Sequence, residues 1–193
     1  MENLLHIDVS VQADTSKTRK ISQLIIDLVS QNDNIITKRD LNNNPIPFLD
    51  GRWAGATFTP ADKRNRDQID KLSFSSQLVN EIAQADTIVI GSPIYNFSIA
   101  ASLKAWIDMI CRVGLTFSYT KNGPIGLMKN KKVIVAIASG GTKVGSEMDF
   151  ASNYLVFIFG FIGIKNVTIV DINNIDLEKG DAFIKTQLQE QIQ

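Results

Sequence analysis

Cysteine and histidine are nearly absent from this sequence, which has Cys111 and His6 as the one residue of each kind. One cysteine excludes a disulfide within the chain, and so few sulfur and imidazole ligands disfavour a metallohydrolase centre, so we expect no metal site. The N-terminal residues also lack the basic segment and apolar run of a signal peptide. These absences favour a reducing compartment, and we expect the protein to be cytoplasmic.

Long apolar runs and an excess of either charge are also missing. The most apolar run, 154–164, has 11 residues, whereas a membrane helix needs about 20. Lysine plus arginine and aspartate plus glutamate both number 20, so the formal net charge is zero. Without a basic field to gather nucleic acid or anionic lipid, we expect neither a nucleic-acid nor a membrane partner.

Three familiar site motifs do not occur. The sequence has no G-x-x-x-x-G-K-[ST] segment and no G-x-G-x-x-G after its first strand, so neither a P-loop nor a dinucleotide-binding Rossmann site is expected. It has no G-x-S-x-G elbow, so a Ser-His-Asp hydrolase is not expected either. His6 falls in a predicted central strand, where a buried structural role is favoured over catalysis.

Short apolar runs alternate with amphipathic helical runs along the whole chain. The predicted strands are 3–10, 34–41, 86–93, 131–139 and 166–172, and the predicted helices are 15–32, 59–84, 102–113, 149–161 and 178–192. Such alternation predicts an α/β fold whose parallel strands carry helices on both faces. We therefore predict a single domain, 1–193, with a doubly wound, flavodoxin-like five-stranded parallel sheet in the order 2-1-3-4-5.

Two details of the connections bear on the site. Thr59 followed by Pro60 predicts the start of the second helix, and the fourth helix is expected to stop near Gly160 or Gly163. The connections 42–58 and 114–130 are longer than usual, and long ordered loops of compact domains tend to be functional or to form interfaces.

The predicted strand order places a ligand site at the carboxyl ends of the first and third strands. The loop after the first strand offers hydroxyls, a lysine and the free N–H groups of a helix N-terminus, which suits a phosphate. The candidate residues are Ser10, Ser16, Lys17 and Thr18, and Thr15 offers a further hydroxyl. An ordinary N-cap is the alternative, and Asp14 must point away from a bound phosphate.

The loop after the third strand contains Pro93, Ile94, Tyr95, Asn96 and Phe97, although glycine, aspartate and serine are the usual turn residues. Either this turn folds back into the core or it holds a flat ligand. The loop after the fourth strand allows close backbone approach through its glycines, or is a plain turn. Its residues are Ala138, Ser139, Gly140 and Gly141. A phosphate pocket beside a flat apolar surface matches the shape of flavin mononucleotide (FMN).

Four segments resemble the FMN-dependent NADH-azoreductase family, which belongs to the flavodoxin-like quinone reductases. The first is SPIYNFSIAASLKAWID from Ser92, with its apolar residue followed by Tyr-Asn-Phe. The second is RVGLTFSYTKNGPIGL from Arg112. NPIPFLDG from Asn44 and FGFIGI from Phe159 also resemble family segments, so the resemblance covers nearly the whole chain.

The resemblance implies an oxidoreductase with FMN as cofactor and NADH as reductant. Hydride would pass to the flavin N5, and a quinone or azo acceptor would then be reduced in a ping-pong cycle, with no catalytic side chain. It implies that residues 94–97 hold the flavin ring, that the hydroxyls of the first loop hold the phosphate, and that residues 138–141 border the pyrimidine end. It also implies a homodimer in which the partner helps to wall the flavin cleft.

Several residues keep two interpretations. Phe117, Tyr119 and Phe159 are core residues or line the substrate side of the ring. Trp53 and Trp106 belong to the core or an interface, and Cys111 is expected to be a small buried hydrophobe. A flavodoxin-like electron carrier that does not react with NADH is the alternative function, but such carriers are usually acidic and this chain is not. NADPH preference is a further alternative.

Overall fold

A five-stranded parallel sheet forms the centre of the computed structural model, which describes residues 2–31 and 33–192. The strands of this sheet are β1 (Asn3–Asp8), β2 (Ile35–Asp40), β3 (Thr87–Tyr95), β7 (Lys132–Ala138) and β8 (Asn166–Asp171). Their order is β2-β1-β3-β7-β8, which confirms the predicted doubly wound arrangement. Positions 1, 32 and 193, which the predicted domain and first helix include, lie outside the described residues.

Three further strands lie off this path. The two-residue strand β4 (Ser98–Ile99) pairs antiparallel with the end of β3, and β5 (Phe117–Thr120) forms a separate hairpin with β6 (Gly123–Gly126). The helices are α1 (Lys17–Val29), α2 (Gly51–Phe58), α3 (Arg66–Gln84), α4 (Ala101–Ile110), α5 (Ser152–Ile162) and α6 (Asp181–Ile192). Among the described residues, no helix is long and apolar enough to span a membrane.

Both faces of the sheet are buried under helices. Side chains of α1 and α6 form one apolar cluster with one face, and side chains of α2 to α5 form a second cluster with the other. The strands β1, β3 and β7 are buried almost throughout, because parallel strands covered on both sides face no water. Trp53 and Trp106 both lie in the second cluster, so the core interpretation holds for them.

The two long connections contain regular structure that the sequence analysis missed. The second half of 42–58 is α2, which begins at Gly51. Its N-cap is Asp50, whose carboxylate accepts from the Trp53 amide at 2.7 Å. The connection 114–130 holds the β5–β6 hairpin, whose sheet closes through the two-residue turn Lys121–Asn122 and packs on α5. Each segment therefore contains a regular element, although 45–50 has no regular secondary structure.

The predicted start of the second long helix at Thr59 is wrong. Thr59 ends α2, where its hydroxyl donates to the carbonyl of Gly55 at 2.9 Å, and Pro60 leads into a single 3₁₀ turn. The helix α3 begins after Asn65, which exchanges two hydrogen bonds with Gln68 in a capping box. Two N-cap signals stood six residues apart, and the reciprocal pair is the stronger one. The stop of α5 at Gly163, at φ +108°, is as predicted.

A close approach between β3 and α1 fixes the position of the helix N-terminus. A Cβ atom at Gly91 would lie 2.7 Å from the carbonyl oxygen of Thr18 and 2.8 Å from the hydroxyl of Ser22. Only glycine fits between the strand and the first turn of the helix. The first turn of α1 therefore packs closely against β3, and the candidate site lies at the carboxyl end of this strand.

Candidate functional site

The loop between β1 and α1, 9–16, brings its polar residues to the carboxyl ends of β1 and β3. Ser16 is the N-cap of α1, with its hydroxyl accepting from the Arg19 amide at 3.3 Å and lying 3.0 Å from the Thr18 hydroxyl. Ser10, Ser16 and Thr18 are all buried. Buried hydroxyls beside the free N–H groups of a helix N-terminus form a polar concavity suited to an anion.

This concavity, which we call the loop-1 cleft, has a volume of about 350 Å³. Its lining comprises Ser10, Gln12, Thr15, Ser16, Lys17, Thr18, Pro93, Ile94, Tyr95, Ala138, Ser139, Gly140 and Asn173. The structure therefore brings the predicted residues of all three loops together. Asp14 is exposed and does not belong to the lining, which removes the electrostatic objection to a phosphate there.

Two lining residues, Gln12 and Asn173, were not named from the sequence, whereas the Thr15 hydroxyl was. Gln12 belongs to the loop already identified, and its polar side chain was the available signal. Asn173 follows the last strand, and its side-chain amide donates to the carbonyl of Ser139 at 3.1 Å. The switch-point argument considered the loops after the first, third and fourth predicted strands, which are β1, β3 and β7, and so gave no reason to examine Asn173 after β8.

The stretch 93–97 is a strand end and a tight turn. β3 continues through Tyr95, and Tyr95 pairs with Ser98 across a two-residue turn. The turn residues Asn96 and Phe97 both have positive φ, at 48° and 70°, which is the backbone of a type I′ hairpin that normally has glycine in second place. A phenylalanine in this conformation costs about 1 kcal/mol or more. Phe97 therefore occupies a position whose backbone conformation favours glycine.

The turn does not fold back into the core as a whole. The Phe97 ring is half exposed and does not enter the core, whereas Ile94 is buried. The Phe97 carbonyl accepts from the Phe150 amide at 3.0 Å, which ties the turn to the segment before α5. An exposed aromatic on a strained, anchored turn is typical of a ligand contact.

A second concavity, the glycine cleft, continues from the loop-1 cleft and shares three residues with it. It has a volume of about 440 Å³ and is lined by Ile94, Asn96, Phe97, Ser139, Gly140, Gly141 and Thr142. Among the described residues that form it, none carries an acid or a base. The cleft offers a flat surface and backbone polar groups and supplies no general acid.

Gly140 and Gly141 have no structural reason to be glycine. Neither has a φ in the left-handed region, and a Cβ atom at either position would meet no protein atom within 4 Å. The Ser139 hydroxyl accepts from the amides of Gly141 and Thr142 at 3.2 and 2.7 Å, so this turn is shaped by serine and not by glycine. The absence of side chains leaves room in the cleft itself.

A larger cavity of about 940 Å³ lies between α4 and α5, and we call it the α4–α5 cavity. It shares Tyr95 and Asn96 with the two clefts, and apolar side chains such as Ile99, Phe150 and Tyr154 contribute to its wall. Burial and the nearby charge of Asp108 raise the pKa of the Tyr154 hydroxyl to about 12. This hydroxyl therefore stays protonated at neutral pH.

A cluster of charged side chains lies beneath the loop-1 cleft. His6 and Asp8 are almost fully buried, with the His6 Nε2 atom 2.9 Å from the Ser22 hydroxyl and 3.3 Å from an Asp8 oxygen. Burial acts to raise the pKa of Asp8, but His6 and Lys38 together lower it below its ordinary value. The buried, hydrogen-bonded His6 has the structural role expected of it.

The remaining sequence candidates divide between core and surface. Phe159 packs on Trp106 with ring centroids 6.4 Å apart, and Phe117 packs on Phe161 at 4.6 Å. Both are buried, whereas Tyr119 at the hairpin is 69% exposed. Of the three proposed lining residues, only Tyr119 presents its ring to solvent, and the other two take the core alternative in this protomer.

Cys111 lies at the C-terminal end of α4 and is partly buried. Burial and the neighbouring charge of Asp108 raise the pKa of its thiol to about 11. A thiol with a raised pKa is a poor nucleophile at neutral pH. A low thiolate fraction favours the predicted role of Cys111 as a small hydrophobe. The cytoplasmic location stays a prediction.

Comparison with known proteins identifies the class. The family described as having a flavodoxin-like fold matches residues 2–193, and the chain belongs to that family. FMN-dependent NADH:quinone oxidoreductase 1 of Jannaschia sp. (strain CCS1) is 47% identical over 189 residues, 98% of this chain and 97% of that protein. A protein of the same name from Colwellia psychrerythraea is 47% identical over 182 residues, 94% of each chain.

Solved structures agree on the fold. An FMN-dependent NADH-azoreductase from Bacillus anthracis, solved in complex with FMN, superposes with a TM-score of 0.83 over 98% of this chain and 97% of its own. Its sequence identity is 24%, so this likeness concerns the fold alone. The 47% identical relatives, both named as FMN-dependent NADH:quinone oxidoreductases, confirm the resemblance to the flavodoxin-like quinone reductases that the sequence indicated.

Proposed function

We propose that this protein is an FMN-dependent NADH:quinone oxidoreductase that also accepts aromatic azo compounds. The observation that carries the proposal is the open pair Gly140 and Gly141, which neither packing nor backbone conformation requires. Together they leave space in a cleft that continues into a polar, anion-suited concavity. The relatives' names, at up to 47% identity, point to the same activity.

The residues present fit FMN in shape and in chemistry. The phosphate would be held in the loop-1 cleft by the hydroxyls of Ser10, Ser16 and Thr18, by Lys17 and by the N-terminus of α1. The flat ring would lie in the glycine cleft between the turn 94–97 and the turn 138–142. Bound there, FMN would supply the redox chemistry, namely hydride acceptance from NADH and transfer of two electrons to the acceptor.

The protein's own residues bind and orient. None of the described residues that line the glycine cleft has a titratable side chain, so we assign no catalytic residue. The α4–α5 cavity touches the ring site through Asn96, and we place the nicotinamide and the quinone or azo acceptor there in turn, as a ping-pong cycle requires. Its partly apolar wall suits flat aromatic molecules.

The test is a visible absorption spectrum of the purified protein, reconstituted with FMN if it is colourless, followed by anaerobic addition of NADH. We expect stoichiometric flavin that bleaches on NADH addition and regains its colour on addition of a quinone. Bound flavin that NADH leaves coloured would instead support the electron-carrier alternative. No flavin binding by the folded protein would refute the proposal.

We further propose that two protomers associate through the hairpin and α5. The hairpin packs on α5, and large apolar side chains remain exposed on both. They include Tyr119, Ile125, Val156 and Phe157, which are 69%, 47%, 45% and 68% exposed. Contiguous exposed apolar surface on a globular protein marks an interaction site. The segment 42–58 also exposes Phe48 and Phe58 and is the second candidate for contact with the partner.

Sedimentation equilibrium measures the association directly. We expect twice the 21.4 kDa of the chain, and we expect Phe157→Glu to shift the mass toward that of one protomer because it introduces a charge into an apolar contact. Phe183→Glu is the control, since Phe183 lies on α6 at the opposite face and is also exposed, at 48%. An equal shift in both variants, or a monomeric wild type, contradicts this interface.

A further inference from the structure

One arginine connects both ends of the loop that forms the loop-1 cleft. The Arg19 guanidinium donates to the backbone carbonyl of Ser10 at 2.7 Å, and its backbone amide donates to the hydroxyl of Ser16 at 3.3 Å. Ser10 is the first polar residue of the cleft and Ser16 is the helix N-cap. Arg19 thereby links the two ends of the intervening loop 11–15 by hydrogen bonds.

The same guanidinium is fixed by a carboxylate on the neighbouring strand. Its two terminal nitrogens donate to the two carboxylate oxygens of Asp40, at 2.6 and 3.0 Å. Such bidentate pairing fixes the direction of the fork as well as its distance. The hydrogen bond from Arg19 holds the pKa of Asp40 at about 2. Asp40 is thus ionised throughout the neutral range.

Asp40 is the last residue of β2 and in turn holds the start of the segment that follows. Its carboxylate accepts from the backbone amides of Asn42 and Asn43 at 3.0 and 3.1 Å. The chain of contacts therefore runs from the segment after β2, through Asp40 and Arg19, to Ser10. No step of it depends on loop 11–15 itself.

Arg19 does not act on the cleft as a free positive charge. It is absent from the residues that line the loop-1 cleft. Its guanidinium also lies 3.5 Å from Asp8, and Lys38 lies 3.3 Å from the same carboxylate. Arg19, Lys38, Asp8 and Asp40 carry two positive and two negative charges, so the group contributes little net field to the cleft.

We propose that Arg19 and Asp40 form a positioning pair that holds the loop-1 cleft in its phosphate-binding shape, an inference that rests on the proposed FMN site. The pair acts through Ser10 and Ser16 and touches no ligand. Its expected effect is confined to the phosphate end of the cofactor.

The experiment compares FMN with riboflavin, which lacks the phosphate, in titrations of the apoprotein followed by flavin fluorescence. We expect wild type to bind FMN more tightly than riboflavin. We expect Arg19→Met to raise the Kd for FMN by about 10- to 100-fold, the loss associated with charged hydrogen bonds, while the Kd for riboflavin changes little.

Asp40→Asn separates positioning from direct attraction. It removes a negative charge near the cleft, so direct electrostatics predicts tighter FMN binding. The positioning pair predicts weaker FMN binding, because the guanidinium loses its anchor. Arg19→Lys keeps the charge without the fork and is expected to weaken FMN binding as well. If Arg19→Met does not fold, Asp40→Asn and Arg19→Lys still test the proposal.

Arg39→Met is the matched control. Arg39 forms an equally buried bidentate pair with Glu81, but on the other side of β2 and away from the cleft. It should lower stability and leave the ratio of FMN to riboflavin affinity unchanged. Three results would overturn this inference and leave the proposed function standing. One is an unchanged ratio of FMN to riboflavin affinity in Arg19→Met, and another is an equal fall of that ratio in Arg39→Met and Arg19→Met. The third is tighter FMN binding by Asp40→Asn. A wild type without preference for FMN would overturn the phosphate site together with this inference.

Discussion

The variant with both Gly140→Val and Gly141→Val is expected to fold normally and to lose FMN. The added side chains meet no protein atom within 4 Å at their Cβ positions, and neither backbone is left-handed. Replacing glycine at such positions also restricts the unfolded chain, which favours folding slightly. Both glycines line the glycine cleft, so we expect the new side chains to reduce the space proposed for the ring.

We expect the Kd for FMN to rise by about 100-fold or more, which corresponds to about 3 kcal/mol of binding free energy. Fluorescence titration of the apoprotein measures this, and thermal unfolding of the same samples verifies the fold. Gly180→Val is the control, because Gly180 is equally open but lies outside both clefts. A folded double variant that retains stoichiometric FMN would show that the ring does not lie against this turn.

The opposite pattern is expected at Gly126, where substitution should lower stability and leave FMN binding nearly intact. A Cβ atom at Gly126 would lie 2.1 Å from the backbone nitrogen of Gly163 and 2.3 Å from its Cα atom. These are backbone atoms, so no rotamer change relieves the overlap. The hairpin must move away from the end of α5, and the backbone hydrogen bond from Met128 to Ile162, 2.8 Å long, is strained or broken.

Gly126→Ala is expected to lower the free energy of unfolding by about 3 kcal/mol, at the upper end of the usual range for overpacking. Urea unfolding gives the free energy, and hydrogen exchange at the Met128 amide reports whether the hairpin detaches. Ile125→Ala is the control, since that side chain is 47% exposed next to the contact. If Gly126→Ala loses no more stability than Ile125→Ala, the close backbone contact does not hold the hairpin.

The two results would separate binding from stability along the chain. The described lining of the two clefts includes no hairpin residue, so a displaced hairpin leaves the FMN site in place. A filled glycine cleft removes the cofactor and leaves the core unchanged. Finding both losses in both variants would mean that the hairpin and the clefts are coupled more tightly than their contacts indicate.

The sequence predicted the sheet because burial on both faces produces a simple signal. β1, β3 and β7 are apolar runs that alternate with amphipathic helices, and this alternation dictates parallel pairing. The hairpin was missed although its turn, Lys121–Asn122, is followed directly by Gly123, and asparagine and glycine are usual turn residues. Its strands are short and contain two glycines and a proline, so no β-rich run indicated them.

The site was predictable where one loop carries its own signal and not where distant segments meet. The hydroxyls of loop 9–16 and the glycines of the turn 138–141 are local features, and the fold brings them together as expected. Asn173, Arg19 and Asp40 act through partners that lie 34, 9 and 21 residues away in sequence. Only the folded arrangement gives an arginine on α1 a role in shaping a neighbouring loop.

The hydrogen bond from the Asn173 side chain to the Ser139 carbonyl affects when the cofactor can bind. The clefts draw on segments from Ser10 to Asn173, and synthesis at about 5–20 residues per second separates these two residues by roughly 10 to 30 s. A nascent chain that has completed the loop after β1 still lacks β7 and β8. We therefore expect tight flavin binding to occur at the end of folding. The rate at which flavin fluorescence is quenched during refolding would measure that last step.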